Sequence, residues 1–336
     1  MKRVLLLISV GGILSSIVFL ASFVMADRAK YNNDFVRIFP PHAAIVVANF
    51  EVDMTRFSLA GMTKDAVYLT DHTTRRGILR VATDRGDTSW FKLNIPNGAD
   101  VSVEGPDFFI QNGYEALLQR GHTNSFSIDT TFEGLNSFTA IQPISQNTAV
   151  LRIADIAYKT HKLIRSPASG EQVTLKKQVD GILCTDGYLN YSKEYKLILY
   201  TYRYRNQFLV FDTALHLKLT GKTIDTTSVA KIAVKEVDGT ITMAKPPLTV
   251  NKGAWVDNKY LFIYSGLVAK NEQAEDSKHH SVIDVYNILD GSYRFSFYID
   301  NVNNSKIRSF RVLGNAFVAT FNDAVVHYEL PSKYLP

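Results

Sequence analysis

Alternation of apolar and polar residues dominates this chain, and its clearest instance is Ser281–Ile299, SVIDVYNILDGSYRFSFYI. Val282, Asp284 and Tyr286 fall on one side of an extended chain, with Ile283, Val285 and Asn287 on the other. Period-2 patterning on both sides of Leu289-Asp290-Gly291 predicts a β-hairpin. Comparable runs recur in sets of three. The first set is Ala66–Asp71, Ile78–Thr83 and Ser89–Ile95; the second is Asp107–Ile110, Tyr114–Gln119 and Ser125–Ile128. Thr148–Ile153, Thr160–Ile164 and Gln172–Lys176 follow, then Tyr195–Tyr202, Gln207–Asp212 and Leu215–Leu219. The fifth set is Tyr260–Ser265, Ser281–Ile288 and Ser292–Ile299; the last is Lys306–Leu313, Asn315–Phe321 and Ala324–Leu330. A fourth run precedes most sets, at Val101–Val103, Phe138–Ile141, Gly181–Thr185 and Gly253–Val256.

Four-stranded units recurring every ~40–50 residues predict an all-β chain folded as a β-propeller of about six blades. The last set lacks an outer strand. Ile45–Ala48, inside His42–Phe50, is expected to supply it by lying alongside Ala324–Leu330, since an open ring would leave a sheet edge and a wedge of core in water. Asp225–Val250 fits least well, with a hairpin at 237–240 and Lys245-Pro246-Pro247 behind it. It reads as an elongated outer hairpin or as part of a seventh blade. No 3.6-residue stripe follows Ala26, so no further long helix is expected.

The first 26 residues are a different material. Met1-Lys2-Arg3 is followed by an uncharged stretch from Val4 to Ala26, long enough to span a bilayer, which needs about 20 residues. Val24-Met25-Ala26 would also suit a signal peptidase, so the segment reads as an uncleaved anchor or a cleaved signal. Either way Lys2 and Arg3 stay in the cytoplasm and the remainder is exported, to the periplasm or another extracytoplasmic space. The division is therefore 1–26 as anchor or signal, 27–34 as a short tether and 35–336 as the propeller. Cys184 is the only cysteine, which excludes an intrachain disulfide, and its apolar run marks it as a small buried hydrophobe.

The formal charge of +5 is spread thinly, with no run of five or six Lys or Arg, so a nucleic-acid partner is not expected. In a propeller, the loops joining second to third strands and those joining successive blades share one face around the central channel, where ligands bind. Three loops there stand out: His72–Arg76, Arg203–Asn206 and the long Leu267–His280. Arg75, Arg76, Arg203 and Arg205, with Tyr202 and Tyr204, are candidates for a basic-aromatic mouth. Guanidinium forks pair with carboxylate or phosphate, and tyrosine faces stack on sugars or peptide side chains. The plainer reading of the same residues is solvated strand-end charge that keeps the edges soluble, since scattered surface arginine is what any folded domain shows. His279 and His280, beside Glu275 and Asp276, are weak metal candidates: consecutive strand residues point apart, and no further ligands lie at a recognised spacing. No nucleophile elbow, Gly-rich phosphate loop or other cofactor fingerprint is legible, so neither a catalytic residue nor a cofactor is assigned.

The unit spacing, the N-terminal export segment and pieces such as Phe211-Asp212-Thr213 and Tyr286-Asn287…Asp290-Gly291 resemble the six-bladed TolB-like propellers of bacterial envelopes. The resemblance covers Phe35–Leu330, is architectural, and carries over no catalytic residue. It implies a binding or scaffolding module for a protein or glycan partner, tied to the membrane through residues 4–26. The alternative is a propeller hydrolase or lyase with a channel carboxylate or metal site.

Overall fold

The computed structural model describes residues 34–167, 171–179, 181–237, 240–273 and 275–336. The expected membrane segment, Val4–Ala26, lies outside the described residues, as does most of the tether. Among the described residues no helix is long and apolar enough to cross a membrane.

Strands are laid down in runs of four, each run an antiparallel meander. The first unit is β2 (Phe57–Met62), β3 (Ala66–Asp71), β4 (Gly77–Ala82) and β5 (Thr88–Lys92), after β1 (Ile45–Glu51). The second is β6 (Asp100–Glu104), β7 (Asp107–Asn112), β8 (Leu117–His122) and β9 (Ser127–Thr131). The third is β10 (Ala140–Pro143), β11 (Ala149–Asp155), β12 (Thr160–Ser166) and β13 (Gln172–Thr174). The fourth is β14 (Gly187–Ser192), β15 (Leu197–Tyr202), β16 (Gln207–Asp212) and β17 (Leu217–Lys222). A separate hairpin, β18 (Val234–Val237) and β19 (Thr240–Met243), precedes the fifth unit of β20 (Asn251–Asp257), β21 (Tyr260–Ser265), β22 (His280–Asn287) and β23 (Tyr293–Asp300). The last contains β24 (Ser309–Leu313), β25 (Ala316–Thr320) and β26 (Ala324–Glu329).

That last unit is completed by the other end of the chain. β1 pairs antiparallel with β26, Ile45 opposite Glu329 and Glu51 opposite Ala324, so the strand order is β1-β26-β25-β24. Apolar clusters then fill every seam between neighbouring units. Tyr68 and Phe108 meet between the first and second, Phe109 and Leu151 between second and third, and Val150 and Tyr200 between third and fourth. Phe208 and Leu261 meet between fourth and fifth, Phe297 and Phe317 between fifth and sixth, and Val318 and Leu69 between sixth and first. A ring of radial sheets with its seams packed in this way is a β-propeller. Middle strands lie between two such seams, which is why β3 is buried at every position while the outer β5 is largely exposed.

One seam is tighter than the rest. Inner strands β2 and β6 pair in parallel, Gly61 opposite Val103, making the first two units one eight-stranded sheet. Only glycine fits there: a Cβ on Gly61 would lie 2.0 Å from the Val103 carbonyl oxygen.

Several expected strands begin or end a few residues away from the observed ones, with Tyr114 and Tyr195 in turns, and two strands differ outright. Gly181–Thr185 is not an inner strand; Gly181–Cys184 forms a helical turn with Cys184 buried, and the inner strand is Gly187–Ser192. Phe57–Met62, absent from the expected set, is the first inner strand. The hairpin within Asp225–Val250 pairs only with itself, so it adds no further four-stranded unit among the described residues.

Residues 35–38 do more than deliver the chain to β1. The Phe35 carbonyl accepts from the Lys270 N–H (2.8 Å) and the Ile38 carbonyl from the Ser296 N–H (2.8 Å), so the segment covers the outer edge of the fifth unit. Between them Arg37 is buried. Its guanidinium forks onto Asp284 (Nε–Oδ1 2.7 Å, Nη2–Oδ2 3.1 Å), and it also donates to Ser265 Oγ (2.8 Å), the Leu267 carbonyl (3.1 Å) and the Glu272 carboxylate. The loop from Leu267 thus closes over an internal ion cluster, with Leu267 and Ala269 themselves buried. Removing one member of such a cluster strands the others without compensation. Arg37→Ala is expected to cost about 3–5 kcal/mol of stability in urea unfolding.

Candidate functional site

All inner strands run in the same direction, so their first-to-second strand turns crowd one end of the channel. A cavity of about 1190 Å³ opens at that end. Each unit contributes the end of its inner strand or the turn beyond: Met62 and Lys64, Val103–Pro106, Gln142, Asn190–Glu194, Trp255–Asn258 and Val312–Ala316. His327 and Glu329 of β26 and Val47 of β1 extend the wall outward between the sixth and first units. A second, smaller cavity of about 280 Å³ lies at the opposite end, against Asp71, His72, Arg75, Asp100 and Arg311.

The chemistry of the large cavity is mixed. Glu104 accepts from Gln142 Nε2 (3.0 Å), and Lys193 Nζ reaches the Glu104 carbonyl (3.1 Å), joining the second, third and fourth units at the rim. Burial pushes the Glu104 carboxyl above the ordinary range, against the pull of Lys193, Gln142 and Arg311. Arg311 stacks over the Trp255 ring at 4.2 Å and donates from Nη1 to the Phe310 carbonyl (2.8 Å). Burial lowers it to about 10, opposed by Glu104, so it is cationic at neutral pH. The Trp255 indole N–H is held by the Val312 carbonyl (2.9 Å), which fixes the ring. Burial also raises the Asp257 carboxyl, although the Gly314 N–H donates to Oδ2 at 2.9 Å. It lowers His327, leaving the imidazole neutral at pH 7.

Two buried polar atoms on residues lining this space have no hydrogen-bond partner among the described residues, Asn190 Nδ2 and His327 Nδ1; Arg311 Nε, on the smaller cavity, has none either. Buried donors and acceptors are normally satisfied, by protein, water or ligand. With the aromatic surfaces of Trp255 and Tyr191, the Asn190 and His327 atoms equip the large cavity to hold a polar molecule that also offers a flat apolar face.

The residues expected to form a basic-aromatic mouth are dispersed. Arg75 lines the smaller cavity, where Nη1 donates to the Pro96 and Ala99 carbonyls (3.1 and 3.3 Å), and Arg76 is exposed beside it. Tyr202, Tyr204 and Arg205 are not a surface: they are 1%, 6% and 1% exposed. Arg205 lies over the Tyr202 ring at 3.5 Å and donates to the Lys176 carbonyl (3.0 Å), packed beneath the connection to the fourth unit. Arg203 is half-buried and pairs with Asp186 at 3.0 Å. His279 and His280 stand edge to face, with ring centroids 6.5 Å from each other, and take different partners. His279 faces Glu275 and His280 faces Asp300, and no group of three metal-ligating side chains occurs among the described residues. The large cavity lies at the other end of the channel from the loops that drew attention in the sequence. Its one visible signal was the charged residue closing an inner strand, at Glu104 and Asp257.

No protein-family model and no curated protein matches the chain. Among solved structures it is similar to a streptogramin B lyase, at 8% identity, covering 84% of this chain and 97% of that one with a TM-score of 0.49. It is also similar to a member of the DUF4221 family from Bacteroides vulgatus, at 12% identity, 86% and 98% coverage and a TM-score of 0.47. A chain of the mitotic checkpoint complex is similar at 11% identity, 85% and 91% coverage and a TM-score of 0.47. The assignment of a β-propeller rests on strand order and packed seams rather than on these likenesses.

Because Asp257 is raised in the folded protein, its ionised form opposes folding, and the penalty grows as pH rises through its folded value. Asp257→Asn keeps an acceptor for the Gly314 N–H and removes the charge. The variant is expected to have a higher Tm than the parent at pH 8, with the difference closing below about pH 4, where the unfolded carboxyl is also protonated.

Proposed function

We propose that the chain is a six-bladed propeller of the TolB-like kind, exported, held at the membrane by residues 4–26, and used as a binding module. The observation that carries this reading is the channel-mouth cavity, to which all six units contribute and where Asn190 Nδ2 and His327 Nδ1 lack partners. Of the two partner classes, protein and glycan, the lining suits a glycan. Trp255 and Tyr191 offer rings for a sugar face, while Gln142, Asn190, Asp257 and Lys193 offer hydrogen bonds to hydroxyls at several radii of the ring. The export reading rests on Lys2-Arg3 followed by the uncharged Val4–Ala26.

A second reading, a hydrolase or lyase, is favoured by one observation: Glu104 and Asp257 line the same cavity with their carboxyls raised by burial, as a general acid requires. Turnover of a bound glycan that is lost in both Glu104→Gln and Asp257→Asn would select it over the binding module.

Trp255 is one of only two tryptophans, so in a Trp90→Phe background its emission reports the cavity. Titration with a panel of envelope-type oligosaccharides is expected to shift that emission for at least one of them. Asn190→Ala is expected to weaken the same titration about tenfold, or ~1.4 kcal/mol. Thermal stability should hold, because the deleted Nδ2 bonds nothing among the described residues. A panel with no effect on Trp255, or an unchanged affinity in Asn190→Ala, would remove the cavity as the glycan site.

A further inference from the structure

We propose that the face opposite the channel mouth seats on the lipid bilayer, through an arc of apolar turn tips on the second to fourth units. The inference rests on the membrane-anchor reading above. Its own support comes from a different part of the molecule.

The turns joining second to third strands carry large apolar side chains that nothing covers. Tyr114, in the turn between β7 and β8, is 93% exposed; Ile156 and Tyr158, in the turn between β11 and β12, are 72% and 68% exposed. Val179 and Val229, in the connections leading from the third and fourth units, are 59% and 55% exposed. Strand direction puts all of these loops at the same end of the ring. Scattered single apolar residues need no explanation, but a run along adjacent units on one face does.

The described chain enters on this same face. Phe35 is buried against Leu267 and Ala269 of the loop between β21 and β22, on the fifth unit. Only residues 27–34 separate that point from the uncharged Val4–Ala26 segment. Eight residues reach at most about 26–29 Å when fully extended. A tether that leaves from this face brings it nearer the bilayer than the channel mouth, which lies a strand length farther on.

Charge favours lipid over a protein occupant. Exposed Lys159 follows Tyr158 in the same turn, Lys176 and Lys177 precede Val179, and Lys231 follows Val229; the exposed acids on this side of the same units are Asp100, Glu115 and Glu133, while Asp34, Glu275 and Asp300 lie on the fifth unit, outside the arc. Tyrosine at the headgroup level with lysine beside it suits the surface of a bilayer carrying anionic lipid. The channel mouth would then point away from the membrane, open to a large ligand.

The test uses the full-length chain, reconstituted into phosphatidylcholine–phosphatidylglycerol vesicles that carry a nitroxide lipid. An environment-sensitive fluorophore is attached at Tyr114→Cys, at Tyr158→Cys, or at Leu289→Cys in the β22–β23 turn of the opposite face. Native Cys184 is fully buried and stays unlabelled. Flotation reports the anchor and quenching reports the face. Expected is flotation of all three variants, with emission at 114 and 158 quenched about twofold or more and emission at 289 unchanged. Flotation with 114 and 158 no more quenched than 289 would overturn the seating while leaving the anchor intact. Failure to float would overturn both. Quenching absent with lipid alone, but shielding of 114 and 158 on adding solubilised envelope proteins, would hand the face to a protein partner and overturn the lipid assignment.

Discussion

Every four-stranded unit of this protein has two apolar faces and needs a neighbour on each, so no unit is stable alone and a row of them always ends in an exposed wedge. Closing the row into a ring is the one arrangement that leaves neither an end nor a bare face. The ring closes where β1 adds to β26, joining residues separated by almost the whole described chain. The cost is loop-closure entropy, which rises only slowly with chain length, while the return is an entire seam, the cluster of Leu69, Val67, Val318 and Val325. The cavity at the channel mouth is a consequence of this closure, since it exists only when all inner strands face one axis.

The approach to β1 has its own constraint. A segment lying along an outer sheet edge has few apolar contacts to hold it, and Val36 and Ile38 remain exposed. Phe35 and Phe39 pack at the two ends of the strap, and between them it is held by polar bonds concentrated at Arg37, whose every guanidinium nitrogen finds an oxygen. Buried ion clusters contribute little net stability but are intolerant of alternative registers. Here Arg37 fixes which residue of the strap faces Asp284, and so where the chain sets out toward β1.

Much of the ring was legible in the residues. Middle strands such as Ala66–Asp71 and Tyr260–Ser265 are continuous apolar runs, and the hairpin at Asp290-Gly291 announces itself through turn chemistry. Inner strands were the weak point, for a physical reason. Gly187–Ser192 reads GYLNYS, polar at the channel side, and Phe57–Met62 is broken by a bulge near Leu59 and by the glycine its partner strand demands. Neither carries a clean alternation. The apolar Ile182-Leu183-Cys184 looked more like a strand, yet its backbone takes a single helical turn. The cavity was hidden for the same reason at a larger scale: Glu104, Asn190, Asp257 and His327 share no local spacing and meet only through their position on the ring. Arg203-Tyr204-Arg205 misled in the opposite direction, since charge and aromatics in a loop suggest a surface, whereas the connection carrying Lys176 folds over Arg205.

The backbone pairing of Gly61 with Val103 has a mechanical meaning. With two units fused into one sheet, the ring consists of five pieces rather than six, and no strand-to-strand ladder crosses the five remaining joints. Any widening of the lumen would therefore fall to those five, and the arc formed by the first two units is the stiffest part of the wall.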